Sequence, residues 1–262
     1  MYFKRLKADL KRYAPYSMEE AKATLRSEIS NTYLGWIWWI LEPLLQMLVY
    51  IFVYGFIFKA KTDYYPAFVF IGVSVWRFFT NTLTASVKLI RNSKSLIVKV
   101  YIPKFILVLT KLLTNGLKML LSFVVLIPIL IFYRTPITWH YLLIFPMLLL
   151  LFLLTFGVSM LAMHIGVYLD DLANLIPVVL RLMLYFTGIF YSLEEKIPAP
   201  YGWLMTHLNP VAFIMDGLRK SVLYGQVFSL PVFCLWIVVS LALCAWSLGI
   251  LYKFGNQYIK LV

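Results

Sequence analysis

The sequence predicts an all-α integral membrane protein. The expected architecture is six transmembrane helices, an N-terminal amphipathic interfacial helix and a re-entrant hairpin before the last helix. Three observations predict this. Apolar residues make up 62% of the chain and charged ones only 13%, against roughly 25% charged in a soluble domain. Six apolar runs each supply the ~20 residues that a bilayer core requires. Aromatics reach 18%, which suits a chain with two membrane interfaces to anchor. All 262 residues read as one transmembrane domain: cytoplasmic and interfacial helices over 1–33, a six-helix bundle over 34–252 and a cytoplasmic tail over 253–262.

Residues 1–14 read as a short amphipathic helix. Tyr2, Phe3, Leu6, Leu10 and Tyr13 recur at helical spacing, and Lys4, Arg5, Lys7, Lys11 and Arg12 fill the other side. Such a helix lies in the membrane surface. Pro15 is expected to end it. Ser17 and Glu20 have the form of a capping box that starts a second helix, with an apolar stripe of Ala21, Leu25 and Ile29. The spans are placed at 34–58, 66–86, 105–132, 141–166, 173–192 and 231–252. Between the last two, residues 193–230 hold two short apolar pieces, around 202–208 and 211–223. Pro198, Pro200 and the Asn209-Pro210 pair break them. Neither is long enough to cross, so a re-entrant hairpin packed on the bundle is expected.

The charge of +13 follows the same plan. Basic residues crowd the cytoplasmic edges of membrane helices, so nucleic acid is not the expected partner. With the N-terminus inside, the segments 1–33, 87–104, 167–172 and 253–262 carry fourteen Lys and Arg, and the opposite segments carry six. Both termini are therefore expected in the cytoplasm. The first 34 residues are polar and mixed in charge, unlike a signal peptide, so the chain is expected to insert by its own helices. Cys234 and Cys244 lie ten residues apart on one helix, about 15 Å from each other, too far for a disulfide.

Few residues are placed for chemistry. His140, His164 and His207 are scattered, no nucleophile–base–acid set is legible, and no Gly-x-x-x-x-Gly-Lys-Ser/Thr loop occurs. No catalytic residue and no metal site are expected, and Asp170-Asp171 reads as a polar loop or helix cap. The stretch 87–104 is more informative. It has five basic residues, no acidic ones, and an apolar stripe through Leu89, Ile90, Leu96 and Ile97. A positive-inside loop explains the charge; a short helix docking into a partner explains the stripe as well. At the start of the first span, Trp36, Trp38 and Trp39 suit either an interfacial anchor or a flat surface for sugar rings. Glu42, Arg77, Lys111, Lys118 and Arg181 are ionisable residues inside spans, which are costly and functional by default. Glu42 precedes Pro43, where the helix is expected to break, and either Arg77 or Arg181 is a candidate partner. Lys118 is placed to meet an anionic headgroup, and Lys111 to snorkel to the surface.

These elements, in this order, resemble the ABC-2 family of export permeases, in the subgroup that exports O-antigen, teichoic acid and capsular polysaccharide. The most specific match is Tyr33-Leu34-Gly35, then Trp36, Trp39, Glu42-Pro43, Tyr50, Tyr54 and Phe58. Asn92-Ser93-Lys94-Ser95-Leu96-Ile97-Val98-Lys99 through Pro103-Lys104 is similar to the family's coupling segment, and 193–230 to its re-entrant pair. One departure is Leu169-Asp170-Asp171-Leu172, which lacks the family's arginine.

The resemblance implies that two copies of the chain form a pore with two copies of a separate ABC ATPase, which holds ATP and Mg. It implies a polymer on a lipid anchor, such as an undecaprenyl pyrophosphate type, as substrate. The setting would be the cytoplasmic membrane of a bacterium or archaeon. Tyr33, Trp36, Trp39, Glu42, Tyr50 and Tyr54 from the first span would line the path. Lys118, Arg181, Tyr185, Phe186 and Tyr191 would join them. Arg91, Asn92, Ser93, Lys94, Leu96, Ile97 and Lys99, with Asp170 and Asp171, would couple to the ATPase. The alternatives are an ABC-2 exporter of a small lipid or drug, a membrane-embedded lipid-modifying enzyme, and a channel or scaffold.

Overall fold

The computed structural model describes residues 2–30, 33–59, 62–136, 138–255 and 257–258, with side chains from Leu6 onward. Tyr2, Phe3, Lys4 and Arg5 therefore lie outside the described side chains. All regular structure in the described residues is helical.

The helix α1 (Tyr2–Ser30) runs unbroken through Pro15, where the sequence predicts an end. Ser17 is a helix-interior residue, not a cap: its hydroxyl donates to the Tyr13 carbonyl at 3.1 Å. Proline costs one backbone hydrogen bond and a steric clash. The buried row Ser17, Ala21 and Leu25, spaced at i, i+4, offsets that cost by packing the helix against α6 (Lys104–Phe132). Leu10, expected in the apolar stripe, is exposed.

Next comes α2 (Ile37–Tyr50), which continues as a π-helical stretch over Ile51–Ile57. It also passes its proline without a break, because the Pro43 ring is buried against the bundle. The helix α3 (Tyr65–Val87) is sheathed by its neighbours on nearly every face. Two short helices, α4 (Leu89–Asn92) and α5 (Lys94–Lys99), lead to α6 (Lys104–Phe132). A 3₁₀ turn over Trp139–Leu143 feeds α7 (Ile144–Tyr168). Then follow α8 (Leu172–Phe186), α9 (Leu193–Lys196), α10 (Tyr201–Leu208), α11 (Pro210–Leu223) and α12 (Leu230–Phe254).

Five of these passages are long and apolar enough to cross a membrane: Ile37–Ile57, Tyr65–Val87, Lys104–Phe132, Trp139–Tyr168 and Leu230–Phe254. The span expected over 173–192 is instead a 15-residue helix, α8, that stops at Phe186. The reason lies in two later features. Gly188 takes a left-handed φ of +66°, and Arg219 of α11 draws the Gly188 and Ile189 carbonyls to itself at 2.9 Å each. A carbonyl turned to a guanidinium is lost to the helical ladder. The apolar pieces expected around 202–208 and 211–223 are α10 and α11. Asn209 separates them: its side-chain oxygen accepts from the Val211 and Ala212 amides at 3.1 and 3.3 Å, with Pro210 at the first helical position.

The bundle has two ends. At one, here called the basal end, Tyr13 donates to the Tyr101 carbonyl at 3.1 Å and Tyr252 donates to Asp9 at 2.8 Å. Arg91 there pairs with Asp170 and reaches the Val167 carbonyl at 3.1 Å. Tyr258 meets His164 Nδ1 at 2.7 Å. The N-terminal helix, the 88–103 segment, the 168–172 turn and the end of α12 thus meet in one place, around a second apolar cluster of Ile90, Ile97, Phe105, Met160 and Tyr258. At the distal end, Tyr224 reaches the Asp63 carbonyl at 3.4 Å, its ring faces Tyr64, and Tyr64 faces Tyr133.

Candidate functional site

Between the end of α1, the start of α2, and the middles of α3 and α6 lies a polar cavity of about 200 Å³. Glu28, Trp39, Glu42, Arg77, Asn81, Asn115 and Lys118 line it. Glu42 pairs with Arg77, one of its two sequence-level candidates. Lys118 pairs with Glu28 at 2.6 Å and stands 5.6 Å from the centre of the Trp39 ring. Trp39 Nε1 donates to Glu28 at 3.2 Å, so one carboxylate ties indole and ammonium together. Asn115 donates to Thr82 at 3.0 Å. Charges at membrane depth persist only when paired, and here the two cations that line the cavity, Arg77 and Lys118, each have a carboxylate from α2 or α1.

A second grouping is aromatic. Phe190 packs on Tyr54 at 4.8 Å between ring centres with planes 8° apart, and on Tyr50 at 4.3 Å. Tyr185 lies edge-on to the same ring at 6.4 Å, and Tyr191 donates to the Tyr185 carbonyl at 2.7 Å. Tyr65 donates to the Phe190 carbonyl at 2.8 Å. The structure therefore gathers Tyr50 of α2, Tyr54 of the π-helical stretch and Tyr185 of α8 around one buried ring, with Tyr191 tied to the Tyr185 backbone. The remaining residues proposed for the path stay apart. Tyr33 and Trp36 are exposed before α2, and Arg181 and Phe186 are exposed on α8.

The basal segment divides by side. Ile97 is buried and Leu96 half-buried, both in the chain's own second cluster. The apolar stripe that suggests a docking helix therefore serves the internal core. The outward face is Asn92, Lys94, Ser95, Val98 and Lys99, followed by Val100 and Tyr101. Arg91 is turned to Asp170, and Asp171 starts α8 with its backbone carbonyl accepting from Asn174 and Leu175 at 2.9 Å each.

Sequence reasoning passed over Glu28, Phe190 and Arg219. Glu28 sits in a polar run that gives no hint of a partner 90 residues away. Phe190 is one of 20 phenylalanines. Arg219 had a readable signal, since with Lys220 it interrupts the apolar piece that folds as the 14-residue α11. It is buried, donates to three carbonyls, and lies 3.4 Å over the Phe68 ring.

Five long apolar helices carrying internal ion pairs define a multi-pass helical membrane protein. The chain belongs to the ABC-2 type transporter family, whose model matches residues 19–223. It is 26% identical over 216 residues to the O-antigen export system permease protein RfbA of Myxococcus xanthus, covering 82% of this chain and 83% of that one. It is 24% identical over 204 residues to the RfbA protein of Klebsiella pneumoniae, covering 78% of each. It is also similar to the polysialic acid transport protein KpsM of Escherichia coli, at 22% over 215 residues, covering 78% and 79%.

Proposed function

We propose that this chain is the membrane permease subunit of an ABC exporter that moves a lipid-linked polysaccharide outward across the cytoplasmic membrane. The observation that carries the reading is its family membership together with relatives, similar over about four-fifths of their length, that are named as O-antigen and polysialic acid transport proteins. ATP and Mg reside on two copies of a separate ATPase, and a second copy of this chain completes the pore.

The basal end is the cytoplasmic one, since α1, the 88–103 segment and the end of α12, which meet there among the described residues, are rich in Lys and Arg. Both termini at one end require an even number of crossings. Five are made by the long helices, so the passage from Leu172 to Ser192 makes the sixth, with α10 and α11 as the re-entrant pair on the far side. The basic outward face of α1 lies at the membrane surface. The outward face of 92–101 meets the ATPase, and the Arg91–Asp170 pair braces that segment against α8.

A polymer needs many weak contacts rather than one tight site. The tyrosines around Phe190, with Tyr33, Trp36 and Trp39 nearer the cytoplasm, offer such contacts to sugar rings, and Arg181 and Phe186 extend the surface along α8. The test is purification of the tagged chain from its native cell in mild detergent, with mass spectrometry of what accompanies it. A stoichiometric P-loop ATPase, and a lipid-linked glycan that accumulates inside on depletion, support the reading. A chain that remains alone after cross-linking overturns it.

A further inference from the structure

The polar cavity has an asymmetry that its ion pairs alone do not require. Both cations belong to the packed bundle: Arg77 on α3 and Lys118 on α6, with side chains 20% and 25% exposed. Both carboxylates belong to α1 and α2, and they are 55% and 42% exposed for Glu42 and Glu28. The cations are the more enclosed partners, whereas the acids reach in from the rim. Besides the two acids, the polar wall holds the guanidinium, the ammonium, the Trp39 indole N–H, the Asn81 amide, the Asn115 amide that also donates to Thr82, and the Ser74 and Ser122 hydroxyls, all of them groups that can donate. That is the lining of an anion site.

Size and depth agree. The cavity of about 200 Å³ holds several times the ≈ 30 Å³ share of one liquid water, room for a phosphate or diphosphate group. The 21-residue passage Ile37–Ile57 is about 30 Å long, close to the thickness of the hydrocarbon core. Trp39 and Glu42 lie in its first turns, and the cavity extends from there to the middles of α3 and α6.

We infer that this cavity binds a phosphate-type anion, which displaces Glu28 and Glu42 from Lys118 and Arg77 and so releases the two ion pairs that tie the end of α1 and the start of α2 to the bundle. The carboxylates stand in for the ligand when it is absent. The inference rests on the permease reading only for the anion's source, a lipid diphosphate headgroup rather than free phosphate; the binding chemistry is the same for both.

The test uses the full chain in nanodiscs of zwitterionic lipid, with farnesyl diphosphate and inorganic pyrophosphate as probes and tryptophan fluorescence as the readout. Binding of farnesyl diphosphate is expected. Glu28→Gln and Glu42→Gln should each tighten it by about fivefold, because each removes a competing charge. Arg77→Gln and Lys118→Gln should weaken it by about tenfold or more. Farnesyl diphosphate binding well above pyrophosphate supports a lipid headgroup; equal binding supports the site with a free anion as its source. No binding of either probe to the wild type or to the two Glu→Gln variants overturns the inference. So does weakening by Glu→Gln as large as that by the cation variants, which marks a purely structural clasp. The assay needs no ATPase, so a failed co-purification leaves it intact, and a failed binding assay leaves the export reading intact.

Discussion

Gly72 leaves open the space that the Arg219 guanidinium fills: a methyl group there would lie 2.5 Å from Nη2. The same guanidinium holds the carbonyls of Phe68, Gly188 and Ile189, on α3 and in the turn after α8. It fastens the passage after α8 to the central helix. Arg219→Met should lower stability by about 3 kcal/mol or more, because it orphans three buried carbonyls. Gly72→Ala should cost about 2 kcal/mol by displacing the same group. Arg219→Lys should not restore the wild type, since a single ammonium lacks the fork geometry. Thermal loss of monodisperse elution of the purified protein measures all three, and an Arg219→Met variant as stable as the wild type would refute the fastening role.

The basal segment should respond differently on its two sides. Ile97→Asp places a charge in the second apolar cluster and should reduce folded yield, with a cost of about 3 kcal/mol. Val98→Asp with Tyr101→Ala alters only exposed positions. It should leave yield unchanged and reduce recovery of the ATPase partner severalfold. Comparison of yield with co-purified ATPase separates the two.

Phe190 is the hub of the aromatic group. Phe190→Ala should destabilise by about 3–5 kcal/mol. Tyr54→Leu keeps an apolar side chain against that ring and removes the aromatic face. Its expected signature is impaired polymer export with normal assembly, measured as glycan retained inside the cell. Unimpaired export would assign Tyr54 to packing alone.

The crossing parity has a direct check. With Cys234 and Cys244 replaced, single cysteines at 95 and 257 should label only from the cytoplasmic side, and cysteines at 138 and 226 only from the outside. Labelling of 226 from the cytoplasm would remove the sixth passage.

The tail contact is a smaller test. Tyr258→Phe loses the hydroxyl that meets His164 at 2.7 Å. It should cost about 1 kcal/mol and raise protease sensitivity of the C-terminus.

Long helices were legible because hydropathy is a local property of twenty or so consecutive residues. The break at Asn209-Pro210 was legible for the same reason: the cap and the proline act on their own neighbours. Pro15 and Pro43 show the limit of that reasoning. Each is a helix breaker by itself, and each lies inside a helix because the packing of that helix against the bundle outweighs one lost hydrogen bond. The end of α8 fails in the opposite sense. Its sequence continues apolar past Phe186, and the chain leaves the helix because a guanidinium 30 residues further on takes its carbonyls.

What the sequence by itself determined is the solvent of this protein, the position of its five long helices, the unequal charge of its two ends and its kinship. Each depends on composition summed along one stretch, which no distant contact can alter. Only the tertiary structure decided that Glu42 meets Arg77, that Lys118 meets Glu28, that three tyrosine rings pack on Phe190, and that Ile97 faces inward. Those relations join residues far apart in the chain. The angle and register at which one helix packs on the next place them within a few ångströms, and that geometry exists only in the assembled bundle.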